Sequence, residues 1–425
     1  MAKNEQTPGG TPSRRGFLTG MGAAGLSGVG IGMGAAEILR PLVPERTGSR
    51  DAARLHPADA RGETHASLQP GIAGAAPAFI HVIALDLVPG LRAGGGQARA
   101  AAAGILRSWT DMAARLHEQG PSGPVAAGLR PSSLMVTVGL GASLLDVIGA
   151  GGRRPAAFAD LPAFGTDVLR AEWSDGDLLL QVGAEDPLVV AAAVNELVDA
   201  TASAARVRWS VRGFQRTAAA AEDPAGTPRN LMGQIDGTAN PPRDHALFER
   251  TVVARSDQTP GHVWMSGGSY LVVRRIRMLL AEWAETDVAG RERVIGRRLS
   301  TGAPLGKDLV TDTVPLSARD ASGEPVIAAN AHVRLSSPQN NLGARMFRRG
   351  YSYDEGWRPD GSRESGLLFL AWQSDPATGF TPVQRTLDEK GDALNRFVRH
   401  EGSALFAVPP AAGEGRYLAQ ELIEE

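Results

Sequence analysis

The sequence contains no cysteine and only three lysines among its 44 positively charged residues. The absence of cysteine excludes disulfide bonds, zinc–thiolate sites, iron–sulfur clusters and the attachment of haem through C-x-x-C-H. It suits an oxidising compartment without establishing one. The formal net charge is −2 at pH 7, so the charge balance gives no reason to expect a nucleic acid as a partner.

The sequence has enough hydrophobic residues to form a sizeable core. The chain has 425 residues, of which 43% are hydrophobic and 21% charged. These values are those of an ordinary globular protein, and the length allows two domains.

The first 40 residues are predicted to be an export signal. S-R-R-G-F-L stands at residues 13–18, and a weakly apolar stretch rich in glycine and alanine follows to about residue 36. This pattern is typical of a twin-arginine signal. The alternative, a membrane anchor, is disfavoured because the stretch is shorter than the roughly 20 residues that span a bilayer. We expect the chain to use the twin-arginine export machinery and to act in the periplasm or outside the cell.

Residues 41–76 are predicted to be a flexible linker, since they are rich in proline, glycine, alanine and charge without a period. Hydrophobic periodicity then predicts two units, residues 77–222 and 223–425. The predicted strands are 79–87, 178–182, 206–216, 268–277, 367–372 and 403–408. The predicted helices are 98–117, 187–204, one that ends near 283, and 388–399. This order favours an α+β fold of two ferredoxin-like units, although their sequences do not visibly repeat.

A glycine-bracketed acid is the first candidate for chemistry. G-x-x-D-G occupies residues 233–237, with the acid at Asp236. Glycine permits positive φ and a close approach of the backbone to a flat ligand. Taken alone, the D-G-T-x-N-P run reads as a turn, so the motif indicates a site only together with a second feature.

That second feature is the segment 330–353, which carries N-A-H-V-R and then R-R-G-Y-S-Y. Of the eight histidines, His332 is the one in a dense polar and basic context. A lone histidine is more often a structural residue than a ligand. However, imidazole is a common axial ligand of haem, and nearby arginines can pair with haem propionates.

Together these stretches resemble the dye-decolorising peroxidase family, in which the same motifs occur in the same order. Further segments similar to the family are I-G-R at 295–297, T-G-A-P-L at 301–305, G-L-L-F-L at 366–370 and H-E-G-S-A at 400–404. The resemblance covers nearly the whole chain after the linker. It implies two ferredoxin-like units of the dimeric α/β barrel type, with non-covalent haem b in the C-terminal unit. It also implies a peroxidase that reduces hydrogen peroxide and oxidises dyes, phenolics or another organic reductant.

The resemblance further implies a role for individual residues. His332 corresponds to the proximal iron ligand, Asp236 to the distal acid and Arg348 to the distal arginine. The other cofactor contacts that it implies are Gly237, Thr238 and Ala239 along the haem edge, Arg334 near a propionate, and Leu367 with Phe369 above the distal pocket. Some relatives have an asparagine at the position of Gly350, so an asparagine-assisted mechanism is not expected.

These residue types suit the cleavage of hydrogen peroxide. A carboxylate such as Asp236 can move a proton when it is ionised, and Arg348 can stabilise charge on the departing oxygen. A proximal histidine usually donates its other N–H to an acid, for which Asp392 is predicted. Large dyes cannot enter a buried site, so oxidisable aromatic residues become candidates for electron transfer or, alternatively, simple core residues. These are Trp209, Trp264, Trp357, Trp372, Tyr351 and Tyr353.

Two other functions remain open from the sequence. The same pocket would serve a haem-handling protein that releases iron from haem in iron uptake, as a deferrochelatase does, and the reaction product distinguishes the two. A fold that has lost its cofactor is the third hypothesis, against which the intact Asp236, His332 and Arg348 argue. The sequence leaves the reductant and the oligomeric state open, a homo-oligomer included.

Overall fold

The computed structural model describes residues 67–220, 223, 226–255 and 262–424. The predicted export signal and most of the predicted linker lie outside the described residues. The described part belongs to one compact unit. Within it, no helix is both long enough and apolar enough to cross a membrane.

The described residues form eight strands and ten α-helices. The strands are β1 (Phe79–Leu87), β2 (Met135–Gly141), β3 (Leu178–Ala184), β4 (Ala205–Phe214), β5 (Ser269–Met278), β6 (Phe347–Trp357), β7 (Arg363–Gln373) and β8 (Val398–Val408). The helices are α1 (Pro70–Ala73), α2 (Gly96–Gln119), α3 (Ala142–Val147), α4 (Pro187–Asp199), α5 (Ala246–Val252), α6 (Leu280–Glu285), α7 (Val288–Ile295), α8 (His332–Leu335), α9 (Phe380–Glu389) and α10 (Gln420–Glu424).

The strands close into one antiparallel barrel in the order β1-β3-β2-β8-β5-β7-β6-β4. Each half contributes four strands in the same order, β4-β1-β3-β2 from the N-terminal half and β8-β5-β7-β6 from the C-terminal half. This order, with a helical crossover after the first and third strands, is that of a ferredoxin-like unit. The edges join where Leu140 pairs with Ala407 and where Phe214 pairs with Ser352. The predicted fold class is confirmed.

Side chains alternate between the barrel interior and an outer face that helices cover, as the two-residue period of a strand requires. On β1, Ile80 and Val82 belong to the interior cluster, whereas Ile83 and Leu85 pack outward. In the N-terminal half, α2 and α4 cover this outer face. Asp186 accepts hydrogen bonds from the first turn of α4, whose first residue is proline, a favourable start for a helix.

Several predicted elements are wrong in place or extent. Strand β2 was not predicted, because all seven of its residues are buried and no alternation marks it. Strand β6 was not predicted either, because its arginines, glycines and acids do not resemble a strand. Helix α4 ends at Asp199 rather than at residue 204. The helix predicted at 388–399 is instead the end of α9, a 3₁₀ turn at Ala393–Arg396 and the start of β8.

The predicted linker is wrong for residues 67–76, which pack on the barrel. Leu68 and Ile72 join the interior cluster. The side-chain amide of Gln69 donates to the Val138 carbonyl at 3.0 Å, and its oxygen accepts from the Val138 N–H at 2.8 Å. Buried Arg349 donates to the carbonyl of Gly71 at 2.9 Å. Two apolar residues one helical turn apart were too short a pattern to reveal this packing.

Candidate active site

A cavity of about 240 Å³ lies between the outer face of the C-terminal strands and the segments that cover them. A water molecule needs only about 10–15 Å³ by the same kind of measure, so this space fits a sizeable ligand. Strands β5 to β8 form one side of it, and the covering layer of α7, α8, α9 and the loop at 230–239 forms the other. Among its apolar lining residues are Ile235, Met278, Leu367, Phe369, Phe380 and Val383.

The loop that carries Asp236 is a tight turn built on glycine. Gly233 and Gly237 have φ of +79° and +115°, values that favour glycine over residues with a side chain. The side chain of Asn230 accepts from the Met232 N–H at 3.0 Å, and the bridge between Arg229 and Ile235 closes the turn. This geometry holds Asp236 at the cavity wall together with the neighbouring Gly237, Thr238 and Ala239.

Arg348 projects from the outer face of β6 toward Asp236. Its Nη1 lies 3.1 Å from Asp236 Oδ1, and both side chains are about a quarter exposed. Asn240 fixes the separation of loop and strand: its amide donates to the Arg348 carbonyl at 2.7 Å, and its oxygen accepts from the Arg348 N–H at 2.9 Å. This role of Asn240 could not be predicted from the sequence, because hydrogen bonds to a distant strand leave no local pattern.

The cavity wall beside Asp236 and Arg348 is apolar and leaves little free space. Leu367 and Phe369 lie on the outer face of β7 and line the cavity. A side chain at Gly350 would come within 3.2 Å of Leu367 and 3.4 Å of Asp236 Oδ2. The glycine therefore leaves the space between Leu367 and Asp236 free of a side chain from β6.

His332 is the first residue of α8 and lines the same cavity. Its Nδ1 lies 2.6 Å from Oδ2 of the buried Asp392. Asp392 is itself held, because its other oxygen accepts from the Leu394 N–H at 3.0 Å. Burial lowers the pKa of His332, but the charge and hydrogen bond of Asp392 outweigh it and raise that pKa overall. The structure thus brings His332 and Asp392 into the pairing that the sequence predicted.

Arg334 is not among the residues that line the cavity, so its predicted place near a propionate stays a prediction. Its Nε and Nη2 donate to the carbonyls of Leu316, Ile327 and Ala328 at 2.8–3.1 Å. The reason is helical geometry: residues two apart on a helix point in different directions. With His332 facing the cavity, Arg334 faces the neighbouring loop and braces it.

Several cavity residues were missed by the sequence analysis. They are Arg274, Arg297, Arg345, Gln384 and His400. Burial, and then Arg348, lower the pKa of Arg297. Burial, and then Arg274 and His332, lower the pKa of His400 to about 3. Arg297 and His400 stood in segments quoted for the family resemblance, but nothing in the sequence placed them at one cavity.

Arg274 ties the N-terminal half to this cavity. It is almost fully buried, and its Nη1 donates to Asp167 at 3.2 Å and to Ser403 at 3.1 Å. Asp167 belongs to the N-terminal half, in a segment that also bridges to His400. A segment of the N-terminal half therefore lies against the edge of the site.

Comparison with known proteins identifies the family. The N-terminal and C-terminal models of the Dyp-type peroxidase family match residues 69–215 and 227–413. The chain is 66% identical to a dye-decolorizing peroxidase of Thermobifida fusca over 419 residues, 97% of each chain. It belongs to the Dyp-type peroxidase family, and it is a peroxidase. The predicted family and enzyme class are confirmed.

Two further proteins are similar to this chain at lower sequence identity. Ferric DtpA from Streptomyces lividans is 45% identical, with a TM-score of 0.79 over 86% of this chain and 98% of that one. A deferrochelatase of Yersinia pestis is 37% identical over 310 residues, which is 71% of this chain and 70% of that protein. The deferrochelatase is thus a more distant relative than the T. fusca peroxidase.

Proposed function

We propose that this peroxidase binds haem b in the cavity of its C-terminal half, with Nε2 of His332 on the iron and Asp236 with Arg348 on the peroxide side. The observation that carries the proposal is the pairing of His332 with Asp392. Because Nδ1 is 2.6 Å from a buried carboxylate, it carries the proton, and Nε2 is left as the nitrogen with a free lone pair. A fixed tautomer of this kind is typical of a metal-ligating histidine.

The residues present fit a flat apolar ring with acidic side groups. The walls are largely apolar, while Arg297 and Arg345 line the same cavity and can pair with carboxylates. Two buried lining atoms, Gln384 Nε2 and His400 Nδ1, have no hydrogen-bond partner among the described residues. Since buried polar atoms are nearly always partnered, these two point to polar groups of a ligand.

Bound haem supplies the iron and the electrons with which the O–O bond of hydrogen peroxide is reduced. Asp236, when ionised, accepts the proton from one peroxide oxygen and returns it to the other, which then leaves as water. Arg348 stabilises the negative charge on the departing oxygen, since its guanidinium remains charged. Leu367 and Phe369 exclude water from the pocket and strengthen both interactions.

The absorption spectrum of the purified protein, before and after one equivalent of hydrogen peroxide, tests this proposal. We expect a Soret band that shifts on addition of peroxide and returns when a reductant is added, with the porphyrin intact. A protein without a Soret band after reconstitution with haemin would contradict the haem site. Free porphyrin and released iron as the products would instead support the deferrochelatase-type reaction.

We further propose that residues 1–40 direct export by the twin-arginine pathway to the periplasm or the exterior. The support is the S-R-R-G-F-L motif and the weakly apolar stretch after it. A fusion of residues 1–40 to a reporter should leave the cytoplasm only in cells with a working twin-arginine translocase. Replacement of Arg14 and Arg15 by lysine should retain it inside. Export of that variant at the wild-type level would contradict the proposal.

A further inference from the structure

A surface groove lies on the other side of the cavity wall. It is formed where the turn between β6 and β7 meets the end of β5, the start of α6 and the start of β8. Four of its lining residues have the chemistry of an anion-binding aromatic site: Trp357, Arg277, Arg363 and Arg399. Neither the catalytic residues nor the haem cavity accounts for this combination.

Trp357 is the main apolar surface of the groove. It is 66% exposed, an unusual position for the largest side chain. It pairs across the strands with Arg363, whose guanidinium carbon lies 4.3 Å from the centre of a Trp357 ring. The cation–π contact holds the indole in place, so an aromatic molecule in the groove meets a fixed, flat platform.

The arginines of the groove are only partly neutralised. Arg399 donates to the carbonyls of Val398 and Asn395 at 2.7 and 3.1 Å, and no carboxylate of the described residues pairs with it. Arg363 has only a long, exposed contact of 3.7 Å to Asp354, which contributes little.

Two of the other charged residues of the groove have polar partners nearby. Arg277 is paired with Glu401 at 3.1 Å. Asp360 accepts hydrogen bonds from Ser362 within its own turn, at 2.6 and 2.9 Å. Glu282 is the remaining acid of the lining. The lining thus carries three arginines and the two carboxylates of Asp360 and Glu282, and Arg363 and Arg399 are the arginines without a close carboxylate partner among the described residues.

The groove and the cavity of the proposed haem site share one lining residue. Met278, the last residue of β5, lines both and is only 4% exposed. A molecule in the groove therefore borders, through the Met278 side chain, the same cavity that it does not enter.

We propose that the groove is the binding site for an anionic aromatic electron donor, an aryl sulfonate or aryl carboxylate that also carries an oxidisable hydroxyl or amino group. This inference rests on the proposed function. The aromatic ring stacks on Trp357 and the anionic group pairs with Arg363 and Arg399. Each phenolic donor loses one electron across the Met278 wall and one proton to solvent. Two donors and one hydrogen peroxide thus give two water molecules and two phenoxyl radicals.

In this assignment Trp357 is a platform and not a redox relay. The guanidinium of Arg363 over its ring opposes the positive charge that oxidation of the indole would create. Phenylalanine keeps a stacking surface but cannot be oxidised under these conditions, so Trp357→Phe separates the two roles.

Binding to the resting haem-loaded protein tests the site without any turnover. The probe is naphthalene-2-sulfonate, which lacks the oxidisable group, followed by calorimetry. We expect Kd to rise about tenfold in Trp357→Leu and about three- to fivefold in Arg399→Gln, the scale of a stacking contact and of a partly exposed ion pair. Trp357→Phe should stay within about twofold, and so should Arg206→Gln, a matched change at an exposed arginine of β4.

Steady-state turnover supplies the second readout. The ratio of kcat/KM for a sulfonated phenol to that for an uncharged phenol should fall several-fold in Arg399→Gln, through KM, and fall further at high salt. Unchanged binding in both Trp357→Leu and Arg399→Gln would overturn the proposal, as would a Trp357→Phe variant as impaired as Trp357→Leu. A failure of the peroxidase proposal would appear separately, as lost turnover with naphthalene-2-sulfonate binding retained.

Discussion

The two halves of the barrel share one topology but use the space between sheet and helices differently. In the N-terminal half, the crossover after β1 is α2, a continuous helix of 24 residues. It buries Leu106 and Trp109 against a core that includes Leu180 and Val182, and the space is filled. In the C-terminal half, the crossover after β5 is broken into the short helices α6, α7 and α8 with long loops between them.

The broken crossover leaves the cavity and supplies its chemistry. His332 begins α8, and the outer face of the adjoining strands presents Arg348 and Leu367 instead of a continuous apolar surface. The fold alone therefore does not create the site. The same four-strand unit is a closed core when its first crossover is one long helix, and it has a ligand pocket when that crossover is broken into short helices and loops.

The largest expected effect separates the catalytic pair from an exposed ion pair of the same chemistry that lies away from the cavity. Arg348→Leu and Asp236→Asn should each lower kcat/KM for hydrogen peroxide by about 10²–10⁴-fold, because each removes a proton acceptor or a stabilising charge. The matched control is Arg107→Leu on α2, where the exposed arginine pairs with Glu424 at 2.7 Å. Steady-state kinetics on haem-loaded protein measure all three. Wild-type kcat/KM in both site variants would refute their assigned roles.

A filled core and a cavity should respond differently to the loss of a side chain. Leu106→Ala truncates a fully buried residue of the N-terminal half and should cost about 2–5 kcal/mol of the free energy of unfolding. Leu367→Ala, beside the cavity, should cost less than about 2 kcal/mol in haem-free protein, because its side chain already borders empty space. Urea unfolding of both variants measures the difference. Equal losses would argue against the distinction between the halves.

A buried histidine makes the N-terminal half sensitive to acid. Burial, and then Arg212, lower the pKa of His81 from 6.5 to about 4. A lowered folded-state pKa means that the unfolded chain binds the proton first. The stabilisation is therefore present above pH 6.5 and is lost as the pH falls toward 4, on the order of 3 kcal/mol in all.

The variant His81→Leu isolates this effect. Between pH 7 and pH 4 it should lose less free energy of unfolding than the wild type, by up to that amount. The measurement is chemical unfolding at a series of pH values. A His81→Leu protein with the wild-type pH dependence would show that this histidine is not the group responsible.

The smallest effect is expected at the acid behind His332. Asp392→Asn keeps an oxygen for the Leu394 N–H but removes the charge next to the imidazole, and it should lower haem affinity or peroxide reactivity about tenfold. The control is Asp312→Asn, in an exposed turn of the same crossover, where Asp312 accepts from the Leu309 N–H at 2.9 Å. Haemin titration and stopped-flow reaction with peroxide measure both.

The fold class and the centre of the site could be predicted from the sequence because short motifs carried them. The G-x-x-D-G turn needs glycine at positive φ, and it delivered Asp236 to the cavity. His332 and Arg348 stood in motifs whose order resembled a family, and the structure brings both to the same cavity as Asp236. The pairing of His332 with Asp392 followed from what a ligating histidine usually needs.

What the sequence did not reveal depends on contacts between distant segments. Asn240 acts on β6 through two hydrogen bonds, and Gln69 does the same on β2; neither leaves a periodic signal. Arg334 was assigned to the cofactor through the family resemblance, whereas its hydrogen bonds go to carbonyls of the neighbouring loop.

The most direct test of the central claim, that His332 of the C-terminal cavity holds the haem iron, is a haemin titration of His332→Gly with and without added imidazole. The account predicts weak binding and little peroxidase turnover without imidazole, and recovery of the Soret band and of turnover when imidazole enters the space left by the side chain. Wild-type binding and turnover in His332→Gly without imidazole would contradict the account, because another residue would then be the ligand.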